Sequence, residues 1–256
     1  MSSHSKGVSN PGWLTCDRWV RLFVAQVLML WRTIYRAGGQ FTARSFIWSL
    51  SRPRSPLKPR LGILLSGRGS NFEAIAANVI SGKLDCEIGF VFSNRANAPG
   101  LARARELGFA CGTLASKGVE RDDYDRQVAD LLHEHAVDFV CLAGYMRLLS
   151  GHFVHQFRNR ILNIHPSLLP AFPGLDAQYQ AWTYGVKITG CTVHFVDEDL
   201  DSGPILMQAA VPVLDDDTPE ALSARILVEE HRIYSEAIAW VLTGNYRIEG
   251  RRVIKT

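Results

Sequence analysis

From residue 61 onward the chain alternates short apolar runs with amphipathic stretches. Leu61–Leu65 is an unbroken apolar run, the signature of a strand covered on both faces. Gly67 and Gly69 interrupt it, and Asn71–Ser81 then carries Phe72, Ile75, Ala76 and Val79 at helical spacing. Cys86–Phe92 reads as a second strand, and Pro99–Leu107 as a helix with proline in its first turn. Tyr124–His135 places Val128, Leu131 and Leu132 on one side of a helix. Phe139–Ala143, closed by Gly144, and Arg160–Ile164 are a third and a fourth strand. No strong helix separates Cys191–Val196 from Ile205–Val213, so these two are expected to pair as later strands. Pro219–Leu242 is a long closing helix. The alternation predicts a single α/β, Rossmann-like domain over 61–256, with a mostly parallel central sheet and helices on both faces.

Residues 1–60 break the pattern. They hold four of the six tryptophans and ten basic side chains against one acid, Asp17. That leaves 18 basic and 24 acidic side chains in the body, so the bland overall charge of +3 hides a mildly acidic domain. An acidic body argues against a nucleic-acid surface. The apolar run Trp19–Trp31, broken by Arg21 and Gln26, is too short to span a membrane, which takes about 20 residues. Three readings of the segment stand side by side: an Arg-rich targeting sequence, a membrane-surface amphipathic helix, or a start codon placed too far upstream. The Pro-rich, basic stretch 51–60 reads as a linker. Five widely spaced cysteines have neither metal-ligand nor redox spacing and read as buried thiols in a reducing compartment.

Two places carry chemistry. The first is the turn Ser66-Gly67-Arg68-Gly69-Ser70-Asn71 between strand and helix. Its glycines permit a tight turn and close approach to a ligand, and the helix start offers free N–H groups. Ser70 or Asn71 is a candidate cap. The turn is not a P-loop, and it lacks the third glycine of a dinucleotide fingerprint. A mononucleotide phosphate fits, and so does a plain βα turn. The second place is Asn163-Ile164-His165-Pro166. Two-residue spacing sends Asn163 and His165 to one side of an extended backbone, and Pro166 reinforces that conformation. An amide and an imidazole at the carboxyl end of a sheet strand suit acyl transfer, where an oxyanion is stabilised and protons move between nitrogens. Asp201 is a candidate carboxylate partner, although spacing alone does not bring it near. His133, His135, His152, His155, His194 and His231 read as hydrogen-bonded structural residues.

Five blocks occur in order: Ser66–Asn71, Leu142–Arg147, Asn163–Pro170, Gly190–His194 and Asp199–Pro204. Together they resemble the phosphoribosylglycinamide formyltransferases, folate-dependent enzymes of purine (IMP) synthesis, over about residues 61–245. The resemblance implies a formyltransferase-type fold and transfer of a formyl group from the co-substrate 10-formyltetrahydrofolate to the amine of glycinamide ribonucleotide, without a metal. It implies His165 as general acid/base, Asn163 as holder of the formyl oxygen and Asp201 as the group that keeps His165 protonated. Gly69, Ser70, Asn71 and Glu230 would bind the ribonucleotide. Arg121, Met146, Arg147, Leu148, Leu149, Asn163 and the Asp197–Asp201 loop would line the folate site. The implied partners are small molecules, with no nucleic acid and no membrane for the catalytic domain. The chain is expected as a monomer or homodimer, cytoplasmic unless residues 1–60 direct it to an organelle.

The chain departs from the family in one loop. Where members often carry a histidine after Pro173-Gly174-Leu175, this sequence has Asp176-Ala177-Gln178-Tyr179-Gln180. Rival functions are a formyltetrahydrofolate hydrolase, a methionyl-tRNA formyltransferase and a non-catalytic mononucleotide-binding protein. The first would want an N-terminal regulatory domain, and the second a further C-terminal domain and a basic surface.

Overall fold

The computed structural model describes residues 58–116 and 118–256. The expectations placed on residues 1–57 lie outside the described residues. In chain order the elements are β1 (Arg60–Leu65), α1 (Ser70–Ile80), β2 (Glu87–Ser93), α2 (Pro99–Glu106), β3 (Cys111–Thr113), α3 (Arg121–Glu134), β4 (Phe139–Leu142) and α4 (Gly151–Gln156). There follow β5 (Ile161–His165), α5 (Ala177–Tyr184), β6 (Ile188–Phe195), β7 (Ile205–Pro212), α6 (Pro219–Leu242), β8 (Tyr246–Glu249) and β9 (Arg252–Lys255).

The strands form one sheet in the order β3-β2-β1-β4-β5-β6-β7-β9-β8. From β3 to β5 every pairing is parallel. β6 pairs with β7, as expected of the two later runs, and it runs antiparallel to both β5 and β7. Period-two alternation puts Leu61, Ile63 and Leu65 on one face of β1 and Leu64 on the other. The first face packs on α1, α2 and α6 through Phe72, Ile75, Leu101, Ile226 and Ile233. The second packs on α3 and α4 through Tyr124, Val128, Leu132 and Phe153. Each such fully buried side chain contributes about 1.5–3 kcal/mol relative to exposure. The α/β architecture with helices on both faces is therefore the one the periodicity implies.

Several elements escaped the sequence reading, each for a physical reason. β3 is too short to show a period. α4 spans six residues. α5 has no apolar stripe, since Tyr179, Trp182 and Tyr184 all face solvent. The β8–β9 hairpin is half-buried and interleaved with arginines. Arg60, read as the end of the linker, is instead the first residue of β1. Its N–H donates to Asp138 Oδ2 at 2.8 Å, its Nε to the His135 carbonyl at 3.0 Å, and its Nη1 to Glu87 at 2.9 Å. Cys86, Cys141 and Cys191 are buried free thiols, but Cys111 is only half-buried. Among the described residues no helix is long and apolar enough to cross a membrane.

One buried contact fixes the sheet centre. The Tyr234 hydroxyl of α6 lies 3.0 Å from the carbonyls of both Leu142, the last residue of β4, and Leu162, the second residue of β5. Leu142 lies opposite Asn163, so β5 continues two residues past the end of β4 to His165.

Candidate active site

His165 ends β5 and is buried, as is the carboxylate of Asp201. Its Nε2 lies 2.8 Å from the Phe172 carbonyl, and its Nδ1 lies 3.4 Å from Asp201 Oδ2. Both ring nitrogens thus face acceptors, an arrangement an imidazolium satisfies fully and a neutral ring only half. The Asp201 oxygen also accepts the Gly174 N–H at 2.8 Å, and Asp201 itself adopts a left-handed backbone, with φ 49. The structure therefore supplies what spacing left open: Asp201 reaches His165 across 36 positions of sequence.

The loop after β5 aims the Phe172 carbonyl. Ser167 Oγ donates to the carbonyl of Ala171, and Thr192 Oγ1 donates to that of Ser167 at 2.7 Å. The same Thr192 oxygen accepts the Leu169 N–H at 3.1 Å and the Gln208 amide at 3.0 Å. These satisfied bonds lock a loop that would otherwise carry several buried polar groups. Leu169–Pro170 is a cis peptide within it.

Asn163 faces His194, its direct partner across the antiparallel β5–β6 pair. The Asn163 amide nitrogen lies 3.2 Å from His194 Nε2, and that nitrogen is 3.7 Å from Asp201 Oδ1. His194 is 1% exposed and hydrogen-bonded at both ring nitrogens, as expected of a structural histidine, and it lies beside Asn163 and Asp201. Its signal was its place two residues after Thr192, on the same face of β6. Only the strand register, with its irregularity between Val193 and His194, turns that place into a contact. Burial holds the His194 ring below the ordinary histidine range, and the neighbouring His165 pushes the same way, against the pull of the Phe195 carbonyl and Asp201.

The glycine turn lies at the carboxyl end of β1. Gly69 is the N-cap of α1 with φ 79, in the left-handed region that favours glycine, and a Cβ there would meet Gly100 at 3.0 Å. Neither Ser70 nor Asn71 caps the helix, contrary to expectation, because both already lie inside it. The Asn71 amide instead donates to Glu230 Oε2 at 2.7 Å, a buried contact between α1 and α6. Asn71 Oδ1 has no partner among the described residues. Burial pushes the Glu230 carboxyl above the usual range, partly offset by the Asn71 bond. Gly69, Asn71 and Glu230 are thus brought together, with Ser70 at the first turn of the helix.

Met146–Leu149 form the loop after β4, with Met146 and Leu148 exposed. The Met146 N–H donates to Ser66 Oγ at 2.7 Å, tying this loop to the glycine turn. Arg147 lies 4.3 Å over the Tyr124 ring, and its Nε is buried with no partner among the described residues. Arg121 opens α3, and both arginines bear on buried Asp125, whose carboxyl is raised by burial and held down by the Ser150 bond and these charges. Asp197 accepts from Ser202 Oγ at 2.9 Å within the turn that carries Asp201. Among the described residues no group of three or more His, Cys, Asp or Glu side chains is arranged to hold a metal. A separate cavity of about 390 Å³ between α1 and α6, lined in part by Asn78, Lys83 and Arg232, contains none of the converging groups.

Residues 60–238 match the formyl transferase family. The chain belongs to that family. It is 43% identical to the phosphoribosylglycinamide formyltransferase of Escherichia coli (strain K12) over 187 residues, which cover 73% of this chain and 88% of that protein. It is similar in structure to glycinamide ribonucleotide transformylase 1 from Symbiobacterium toebii, with a TM-score of 0.76, 51% identity, and coverage of 78% of this chain and 95% of that one. It is also 43% identical over 194 residues to the trifunctional purine biosynthetic protein adenosine-3 of Bos taurus. The match covers 75% of this chain but only 19% of the bovine protein, so the chain spans about a fifth of that relative's length.

Proposed function

We propose that the domain from Arg60 onward transfers the formyl group of 10-formyltetrahydrofolate to the amine of 5-phosphoribosylglycinamide, a step of purine biosynthesis, with residues 1–59 as an extension outside the catalytic domain. The observation that carries this reading is His165 held between the Asp201 carboxylate and the Phe172 carbonyl, with Asn163 two residues away on the same strand.

The reaction forms a bond from the amine nitrogen to the formyl carbon and breaks the bond from that carbon to N10 of the folate. One proton leaves the attacking nitrogen and one arrives at N10. Asn163 offers an amide N–H to the formyl oxygen as it gains charge. His165 moves the proton, and the buried Asp201 carboxylate orients its ring. The N–H groups at the start of α1, around Gly69, Ser70 and Asn71, take the phosphate, and Glu230 takes a donor on the same substrate. Arg121, Arg147 and the Met146–Leu149 loop receive the folate, beside Asp197. Arg147 already rests on an aromatic face, and its Nε has no partner among the described residues, which suits an anionic group. The partners are small molecules, no metal takes part, and the cytoplasm is the expected site.

Release of tetrahydrofolate tests the reading. It is expected only when 10-formyltetrahydrofolate and the ribonucleotide are both present. Release without the ribonucleotide identifies a hydrolase, and no release in either mixture removes the enzymatic reading.

A further inference from the structure

The formyl-transfer reading leaves one buried polar side chain at the site without a task, and the inference below rests on that reading. His194 donates or accepts at both ring nitrogens. Its Nδ1 lies 2.8 Å from the Phe195 carbonyl, and its Nε2 lies 3.2 Å from the Asn163 amide nitrogen. A carbonyl only accepts, so the ring proton sits on Nδ1. A neutral ring then has a lone pair at Nε2, which must receive an N–H. Had the Asn163 amide turned the other way, its oxygen would face that lone pair.

We propose that His194 is a positioning residue that fixes the orientation of the Asn163 amide, so that the second Asn163 N–H is the one presented to the reacting formyl oxygen. Three further observations support it. The two residues are register partners across β5 and β6, so the backbone holds them face to face. His194 is 1% exposed, and burial disfavours the charged ring that would reverse the pattern. The Asp201 carboxylate, at 3.7 Å from Nε2, is too far for a hydrogen bond that would draw a proton there. The two histidines beside Asp201 therefore differ in task. His165 points its Nδ1 at the carboxylate and handles protons. His194 stays neutral and sets a hydrogen-bond direction.

The test begins with the unmodified full chain. A long-range ¹H–¹⁵N spectrum of ¹⁵N-histidine-labelled protein reports the tautomer of each ring, with His194 assigned from the signal lost in His194→Gln. A protonated Nδ1 and an unprotonated Nε2 near neutral pH are expected. A ring protonated at Nε2, alone or with Nδ1, overturns the proposal. In steady-state kinetics His194→Phe, which keeps the bulk and removes the acceptor, is expected to lower kcat about 10- to 100-fold, less than the roughly 100- to 1,000-fold for outright loss of an oxyanion donor, because Asn163 remains. Both KM values are expected to change little. His194→Gln, whose side-chain oxygen can accept from Asn163, is expected to recover most of the loss. Equal losses in the two variants, or an effect confined to KM, would show that His194 only packs. Failure of the wild-type chain to transfer formyl would remove the reading of its function, while the tautomer measurement still decides the state of His194.

Discussion

A single oxygen of Asp201 lies 3.4 Å from His165 Nδ1 and accepts the Gly174 N–H at 2.8 Å. The His165 imidazole and the loop backbone are thus fixed by the same carboxylate, in a setting where neither side chain is more than 8% exposed. Asp201→Asn keeps the shape and removes the charge. It is expected to lower kcat by about 100-fold or more, in line with loss of a tuned general acid/base. The far-UV circular dichroism spectrum should stay unchanged. A kcat within about threefold of wild type, against that expected loss, would remove Asp201 from its role.

Glu230 and Asn71 join α6 to α1 through one buried bond of 2.7 Å. Glu230→Ala strands the Asn71 amide, which should cost about 1–3 kcal/mol of stability. KM for the ribonucleotide should rise while KM for the folate stays near its wild-type value. Isothermal unfolding in urea and two-substrate kinetics read the two effects separately. A selective rise in the folate KM would contradict the assignment of this corner.

Gly203 follows the Asp201 turn, and a Cβ on it would stand 1.9 Å from the Phe195 carbonyl oxygen. That carbonyl accepts the His194 Nδ1 proton. Backbone must move to admit even a methyl group, so Gly203→Ala is expected to destabilise by about 1–3 kcal/mol or more. It should also depress activity by displacing Asp201. A variant with wild-type melting temperature and turnover would show that the turn relaxes freely.

Burial holds His194 and His231 below the ordinary value of 6.5, in His231 with help from Arg68. The unfolded chain binds these protons more readily. Their contribution to stability is therefore complete above pH 6.5 and is lost as pH falls through the lower folded values. Glu230 and Asp125, raised by burial, act with the opposite sign: their contribution is complete at low pH and is lost as pH rises through their folded values. The readout is thus a difference: urea unfolding of His194→Gln should lose less stability between pH 6.5 and 5 than wild type. Equal slopes would mean that His194 is not held neutral by the fold.

The fold was legible where apolar period and length were both strong. Leu61–Leu65 and Pro219–Leu242 coincide with β1 and α6 to within a residue. It was illegible where tertiary contacts, rather than a local pattern, fix an element. α5 is anchored by the Trp182 indole on the Asp217 carbonyl, and nothing in its residue order announces that bond. At the site, Asn163 and His165 could be paired from strand geometry alone. Asp201 came from family resemblance, and its proximity from the structure. The contact of His194 with Asn163 was not legible, because it depends on the β5–β6 register, which no run of residues in either strand encodes separately.

The central claim is that the formyl carbon ends on the nitrogen of the ribonucleotide. The direct measurement is ¹³C NMR of a reaction containing the full chain, glycinamide ribonucleotide and 10-formyltetrahydrofolate labelled with ¹³C at the formyl carbon. The account predicts that the label moves to a formamide resonance of the ribonucleotide, in step with tetrahydrofolate, and that His165→Ala stops the transfer. Label appearing as free formate, or remaining on the folate, would contradict it.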